Sequence, residues 1–203
     1  MIDLKMFQDV GVLVVGLGRT GRACVEALLS GGARVWVFDD KEAVSGELSF
    51  TGVSHQWDEI KWLVLSPGIA FTHPLAREAL KRGIPIVSDI NLLAMAYPLG
   101  NYFGVTGTNG KSTTTAFLTH MLKAAGQDPL MGGNIGIPVL SFIPKVEAPT
   151  FVLELSSYQL ERAFPEKSYG LRIDHCIWLN ITPDHLDRHG SLAESVTAKR
   201  QMI

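Results

Sequence analysis

Cysteine is scarce in this chain, with only Cys24 and Cys176 among 203 residues, far apart and each inside an apolar run. That excludes a disulfide scaffold and a cysteine-built metal site, and two buried reduced thiols are the expectation. Long hydrophobic stretches are also missing. No apolar run approaches the roughly 20 residues of a membrane span, and the N-terminus carries Asp3 and Lys5 where a secretory signal would be apolar. Charge of either sign is thin. Acidic and basic residues make up 19% of the chain and nearly cancel at a net −2, which leaves no basic footprint for nucleic acid. These absences point to the cytoplasm. There is neither an internal repeat nor a low-complexity tract. What is abundant is hydrophobic residues, at 46%, and glycine, at 20 residues, enough for a real core interrupted by many turns.

The glycines fall at informative places. Val10–Val15 is a continuous apolar run, as in a strand buried on both faces. Gly16-Leu17-Gly18-Arg19-Thr20-Gly21 follows at once, then a helical stretch over 22–30 stopped by Gly31-Gly32, then a strand over 34–38 ending in Asp39-Asp40. The unit matches a dinucleotide fingerprint, with Asp39 eighteen residues beyond Gly21. Taken alone it admits three readings: NAD with Asp39 on a ribose, another nucleotide, or a tight structural turn. Residues 41–61 are polar and weakly patterned, with one weak strand at most. Strands are expected at 62–65 and 84–87, and helices at 73–82 and 89–96, with Ser66-Pro67-Gly68 closing the first of those strands.

Pro98-Leu99-Gly100 reads as a linker into a second unit. A strand at 102–105 enters Thr106-Gly107-Thr108-Asn109-Gly110-Lys111-Ser112-Thr113, and a helix runs on to about residue 125. Such a turn aims backbone N–H groups and a helix N-terminus at an anion. Lys111 would reach β- and γ-phosphates and the Ser112 hydroxyl would face Mg²⁺. The generic Gly-x-x-x-x-Gly-Lys-Ser pattern would have glycine at Val105, so it matches only in its second half. Gly132-Gly133-Asn134-Ile135-Gly136 reads as another tight loop. A strand over 150–155 ends at Glu154, where a carboxylate beside a phosphate loop commonly faces the nucleotide's metal. A strand over 175–181 leads to Asp184, His185, Asp187 and His189, which could equally be a solvated loop. A helix is expected over 191–202, with Ser191 and Glu194 as a capping box. On that helix Lys199 by itself reads as an exposed lysine. His55, His73, His120 and His175 read as structural. The chain stops at Ile203 inside this last helical pattern, which reads as a piece of a longer protein.

Strand and helix alternate in two blocks. The expected fold is α/β, a Rossmann-like doubly wound parallel sheet over 1–97 followed by an incomplete P-loop ATPase-like α/β domain over 98–203.

The loop around Thr106–Thr113 resembles the ATP loop of the Mur ligases, built on Thr-Gly-Thr-Asn-Gly-Lys, and this resolves the misfit at Val105. Gly132-Gly133-Asn134-Ile135-Gly136, Leu153-Glu154-Leu155-Ser156-Ser157-Tyr158-Gln159-Leu160 and Asp184-His185-Leu186-Asp187-Arg188 follow in the family's order. The resemblance covers essentially all of the chain. The amino-terminal glycine turn and Ser66-Pro67-Gly68-Ile69 are similar to the branch that joins D-glutamate to UDP-N-acetylmuramoyl-L-alanine in peptidoglycan synthesis. A sister Mur ligase branch, usually with His where this loop has Asn109, is the alternative. Outside the family, a non-catalytic nucleotide-binding or NAD-binding module is the rival reading.

The resemblance implies an acyl-phosphate route. ATP phosphorylates the alanyl carboxylate, and the D-glutamate amine then displaces phosphate. It implies ATP contacts from Gly107, Thr108, Asn109, Gly110, Lys111, Ser112 and Thr113. It implies that the first domain holds UDP rather than NAD, through Arg19, Thr20, Asp39, Asp40, Lys41 and Gly68, although Asp40 and Lys41 depart from the family's usual Asp-Thr/Ser-Arg. Asn134, Ser156 and His185 resemble residues near the muramoyl-alanine end. Two Mg²⁺ would be held by Ser112, Glu154, His185 and Lys199, the last resembling a lysine that becomes a carbamate. Lys111, Glu154, His185 and Lys199 would be the catalytic set. A monomer is implied, and a third, C-terminal domain not represented here, so that these residues alone would not ligate.

Overall fold

The computed structural model describes residues 1–163, 169 and 171–180. The expected helix over 191–202, and the readings at Asp184, His185, Asp187, His189 and Lys199, lie outside the described residues.

The first sheet is built from β1 (Gly11–Val15), β2 (Arg34–Phe38), β3 (Ile60–Leu65) and β4 (Ile86–Val87), all parallel, in the order β2-β1-β3-β4. Every residue of β1 is buried, as an apolar run covered on both faces requires. Helices α1 (Arg19–Ser30), α2 (Ser54–Glu59), α3 (Pro74–Lys81) and α4 (Asp89–Ala96) connect or follow these strands. The second sheet holds β5 (Asn101–Thr106), β6 (Leu130–Gly133), β7 (Thr150–Glu154) and β8 (His175–Trp178), again parallel, in the order β6-β7-β5-β8. Its helices are α5 (Lys111–Ala124) and α6 (Ser157–Ala163). The α/β class and the two parallel sheets agree with the expectation. No helix among the described residues is long and apolar enough to cross a membrane.

Two apolar clusters flank the first sheet. Leu13, Val15, Leu63 and Leu65 point to one side, where Phe50, Trp57, Ala76 and Ala79 meet them. Val12, Val14 and Val64 point to the other, against α1 and α4. This second cluster does not stop at the sheet. It continues through Val139, Leu140 and Phe142 to Phe151 and Leu153 of β7 and Leu155 just beyond it. A backbone bond from Ile2 N–H to the Leu140 carbonyl (3.1 Å) ties the N-terminus to the same place. Burying a side chain of this size removes roughly 1.5–3 kcal/mol of unfavourable hydration.

Several expectations need correction. Gly132-Gly133 is not a loop but the end of β6. Glycine is a poor strand former, but a Cβ at Gly132 would sit 2.6 Å from Phe142 Cζ, so packing demands it there. Only Asn134–Gly136 forms the turn. Residues 54–59 and 157–163 are helices that the polar patterning does not announce. Cys24 is buried as expected, but Cys176 is exposed because β8 lies at the edge of the described sheet. In the Pro98-Leu99-Gly100 segment Pro98 and Leu99 are exposed and only Gly100 is packed: a Cβ there would lie 2.9 Å from Phe151 Cε2.

Candidate functional site

In the first sheet β1 has β2, reached through α1, on one side and β3 on the other, so the strand order turns at β1. Ligands of open α/β sheets bind at such a switch point, beyond the carboxyl ends of the strands. A cleft of about 550 Å³ opens there, and Arg19, Thr20, Asp39, Asp40, Lys41 and Gly68 all line it, with Gly16, Gly18, Gly21 and Ser66. The six residues that the family resemblance assigns to UDP are therefore brought together in one place.

The glycines of this turn have separate duties. Gly16 adopts φ +97°, open to glycine at little cost. A Cβ at Gly21 would lie 1.8 Å from the Gly16 carbonyl oxygen, whereas one at Gly18 would meet nothing within 4 Å. Gly21 thus allows α1 to pack on the turn, and Gly18 is the open face. The turn is braced from below. Asp39 Oδ2 accepts from Leu17 N–H (2.6 Å), and its Oδ1 accepts from Lys41 and Glu42 N–H (2.8 and 2.9 Å). These bonds, Leu17's first, hold the Asp39 carboxyl below its usual pKa range. Ser66 Oγ donates to the Gly16 carbonyl (2.7 Å).

The second crevice forms where β5 enters α5 between β7 and β8. Gly107 and Gly110 take φ +153° and +84°, and Gly110 caps α5 without any side-chain hydrogen bond. The helix therefore keeps its N-terminal donors for another acceptor. Lys111 folds over its own loop, its Nζ donating to the Gly107 and Thr108 carbonyls (2.9 and 2.8 Å). Glu154, 1% exposed, ends β7 beside Val105 of β5. Its Oε2 accepts from Ser112 Oγ and its Oε1 from Asn134 Nδ2, each at 2.7 Å. A carboxylate and a hydroxyl at one helix N-terminus are hard oxygen donors. They suit Mg²⁺, which takes one or two protein ligands and completes its shell with phosphate oxygens and water. Among the described residues no group of three or more His, Cys, Asp or Glu comes together to cage a metal.

The two crevices touch. Arg19 Nη2 donates to the Gly136 carbonyl (3.0 Å), and Asn134 of the same turn holds Glu154. Asn134 lies with the second crevice. Ser156 also follows β7, but its Oγ is occupied with Gln159: it donates to Oε1 (3.2 Å) and accepts from the Gln159 N–H (3.3 Å) at the start of α6.

Two residues of interest escape a reading by motif. His73 caps α3, its Nδ1 accepting from Leu75 N–H (3.2 Å), which leaves Nε2–H to face Asp40 Oδ1 (3.3 Å) at the first cleft. The His73-Pro74 start of α3 carries a helix-entry signal that could have located it. Asn180, just past β8, grips the second loop through its side chain. No spacing signal marks an asparagine after a strand.

Comparison with known proteins places these features in context. The family model for the Mur ligase middle domain matches residues 105–203, and that for the MurD-like Mur ligase N-terminal domain matches residues 10–88. Curated relatives include two UDP-N-acetylmuramoylalanine–D-glutamate ligases. That of Rhodospirillum rubrum is 44% identical over 97% of this chain and 43% of its own length, and that of Paramagnetospirillum magneticum 42% identical over 100% and 46%. The chain spans under half the length of these two relatives. Among solved structures, the UDP-N-acetylmuramate:L-alanyl-γ-D-glutamyl-meso-diaminopimelate ligase from Neisseria meningitides has a TM-score of 0.58 at 21% identity, covering 96% of this chain and 67% of that one. The UDP-N-acetylmuramate–alanine ligase from Thermotoga maritima has 0.53 at 20%, covering 95% and 46%. At such identities these two support the fold alone.

Proposed function

The chain belongs to the Mur ligase family, and from that premise we propose that the complete protein carrying it joins D-glutamate to UDP-N-acetylmuramoyl-L-alanine at the expense of ATP. In this reading residues 1–97 hold the UDP substrate and 98–203 belong to the ATP-binding domain. The single observation that carries the ATP half is buried Glu154, held by Ser112 and Asn134 under the uncapped start of α5. The observation behind the UDP half is the cleft shared by Arg19, Thr20, Asp39, Asp40, Lys41 and Gly68.

The chemistry asks little covalent work of the protein. The alanyl carboxylate attacks the γ-phosphorus, ADP leaves, and the resulting acyl phosphate is opened by the D-glutamate amine with loss of phosphate. Two anions must meet in the first step, so its barrier is largely electrostatic. The loop from Gly107 to Thr113 positions the triphosphate, with the N–H groups at the start of α5 turned to it, and the Lys111 ammonium spreads its charge. Ser112 and Glu154 would hold Mg²⁺, which when bound neutralises phosphate charge. Asn134 and Ser156 are assigned to the muramoyl-alanine end. His185 at that end and at a second metal, and Lys199 as a carbamate ligand, enter from the family resemblance alone. We place the reaction in the cytoplasm and the protein as a monomer.

The test is ADP release by the complete protein. Release that requires both D-glutamate and UDP-N-acetylmuramoyl-L-alanine is expected. Release that ignores either one, or that follows L-alanine with UDP-N-acetylmuramate instead, overturns the assignment. The 203 residues alone are expected to release none.

A further inference from the structure

The loop between β5 and α5 is held by one side chain that the reaction scheme does not use. Asn180 follows β8, the strand paired with β5. Its Oδ1 accepts from the N–H groups of both Thr108 (3.1 Å) and Asn109 (2.9 Å), while its Nδ2 donates back to the Asn109 carbonyl (3.0 Å). Its own carbonyl accepts a further bond from Thr108 N–H (3.1 Å), and Leu179 N–H donates to the Thr106 carbonyl (3.0 Å). The fit is close: a Cβ at Gly107 would approach Leu179 Cβ to 3.1 Å and the Asn180 nitrogen to 3.3 Å.

We propose that Asn180 is a positioning residue for the phosphate loop, an amide clamp that fixes Thr108 and Asn109 so that the N–H groups of Gly110–Thr113 stay turned towards the triphosphate. This rests on the reading of the loop as an ATP site. Residue chemistry argues for an amide in particular. Asn109 N–H needs an acceptor and the Asn109 carbonyl needs a donor, and an amide supplies both without charge, while Thr108 N–H is shared between the amide oxygen and the Asn180 carbonyl. An aspartate would accept from the same two N–H groups but could not donate to Asn109, and it would set a negative charge beside incoming phosphates. The N–H groups at 108 and 109 are consumed by the clamp, so the loop divides into a held half and an offered half. Preorganised donors lose no freedom when the ligand arrives.

The experiment measures dissociation constants in the complete protein for two ligands: a non-hydrolysable ATP analogue with Mg²⁺, and UDP-N-acetylmuramoyl-L-alanine. Asn180→Ala should weaken the analogue about ten-fold, the scale of one or two lost hydrogen bonds, and leave the UDP compound within about two-fold. Asn180→Asp should weaken the analogue further at low salt, and added salt should shrink that extra loss. Lys111→Ala is the control. If it leaves the analogue's affinity unchanged, the loop is not a phosphate site and the reading beneath this inference fails. If Lys111→Ala weakens the analogue but Asn180→Ala does not, the clamp alone is overturned. Equal losses for both ligands in Asn180→Ala would mark a general structural role and overturn it as well. Should the alanine variant fail to fold, the aspartate variant decides: affinity equal to the wild type sinks the clamp, and a salt-sensitive loss supports it.

Discussion

The molecule contains the same local device twice, a parallel strand running through a glycine turn into a helix without a side-chain cap, and the two copies differ in what braces them. Beneath the first turn lies a carboxylate, Asp39, with Asp40 beside it. Beneath the second lies a neutral amide, Asn180, and the loop itself carries Lys111. A helix N-terminus is electropositive. An anionic brace beneath the turn spends part of that potential and an amide does not; the carboxylate near the second turn, Glu154, is instead tied to Ser112 and Asn134. Under the proposed assignment, the cations for the first ligand's diphosphate come from the cleft wall, Arg19 and Lys41, and those for the second ligand from the loop itself, Lys111. Glycine spacing alone cannot separate the two cases; the charge of the supporting side chain does.

The sharpest way to break this comparison is Lys111→Ala in the complete protein. Turnover should fall by about 10²–10³-fold, the scale on which a single charge-stabilising donor counts, while affinity for the UDP compound stays put. An unchanged rate would make the two turns equivalent. Next in size is Gly21→Ala, whose Cβ would collide with the Gly16 carbonyl. Overpacking of this kind costs about 1–3 kcal/mol, read as a lower denaturant midpoint, and the UDP compound should bind more weakly. The companion Gly18→Ala, with open space around it, should leave the midpoint almost unmoved. Equal effects at both positions would contradict the separate duties of these glycines.

A smaller effect comes from Asp39→Asn. The Asp39 pKa is lowered in the folded state, by Leu17 N–H first and Lys41 N–H next. A lowered carboxyl contributes stability above its unfolded pKa of about 3.9, and that contribution fades as pH falls through the folded value. The stability gap between wild type and Asp39→Asn should therefore be full at neutral pH and close below about pH 4. A gap that is independent of pH would mean the carboxylate is not the brace.

The mildest test uses the two thiols, Cys24 on α1 behind the first turn and Cys176 on β8 beside the second. Burial raises both pKa values, strongly for Cys24. A disulfide reagent at about pH 8 should label exposed Cys176 and spare Cys24 until the protein unfolds. Labelling of Cys24 in the native state would show that the first turn opens.

Sequence patterning revealed most of the architecture because its carriers are local. A buried apolar run such as that at β1 and the short helix over 89–96 are each readable within a few residues. The glycine turn and Asp39 were legible for the same reason, whereas Arg19, Thr20, Asp40, Lys41 and Gly68 came from the family resemblance. What escaped depends on contacts distant in the chain. Gly132-Gly133 reads as a loop until Phe142 is seen pressed against it. Cys176 reads as buried because its neighbours are apolar, but strand order, which no local pattern encodes, puts β8 at an edge of the described sheet. Asn180 acts on residues 71 and 72 positions away.

The apolar cluster that runs from Val12 and Val14 through Leu140 and Phe142 to Phe151 and Leu153 has a practical consequence for anyone cutting or grafting this protein. A break introduced near Leu99 would not release two self-sufficient pieces. Each would carry a raw hydrophobic scar, and a transplant of the amino-terminal half onto a foreign partner would have to bring along a matching imprint of the 139–142 segment.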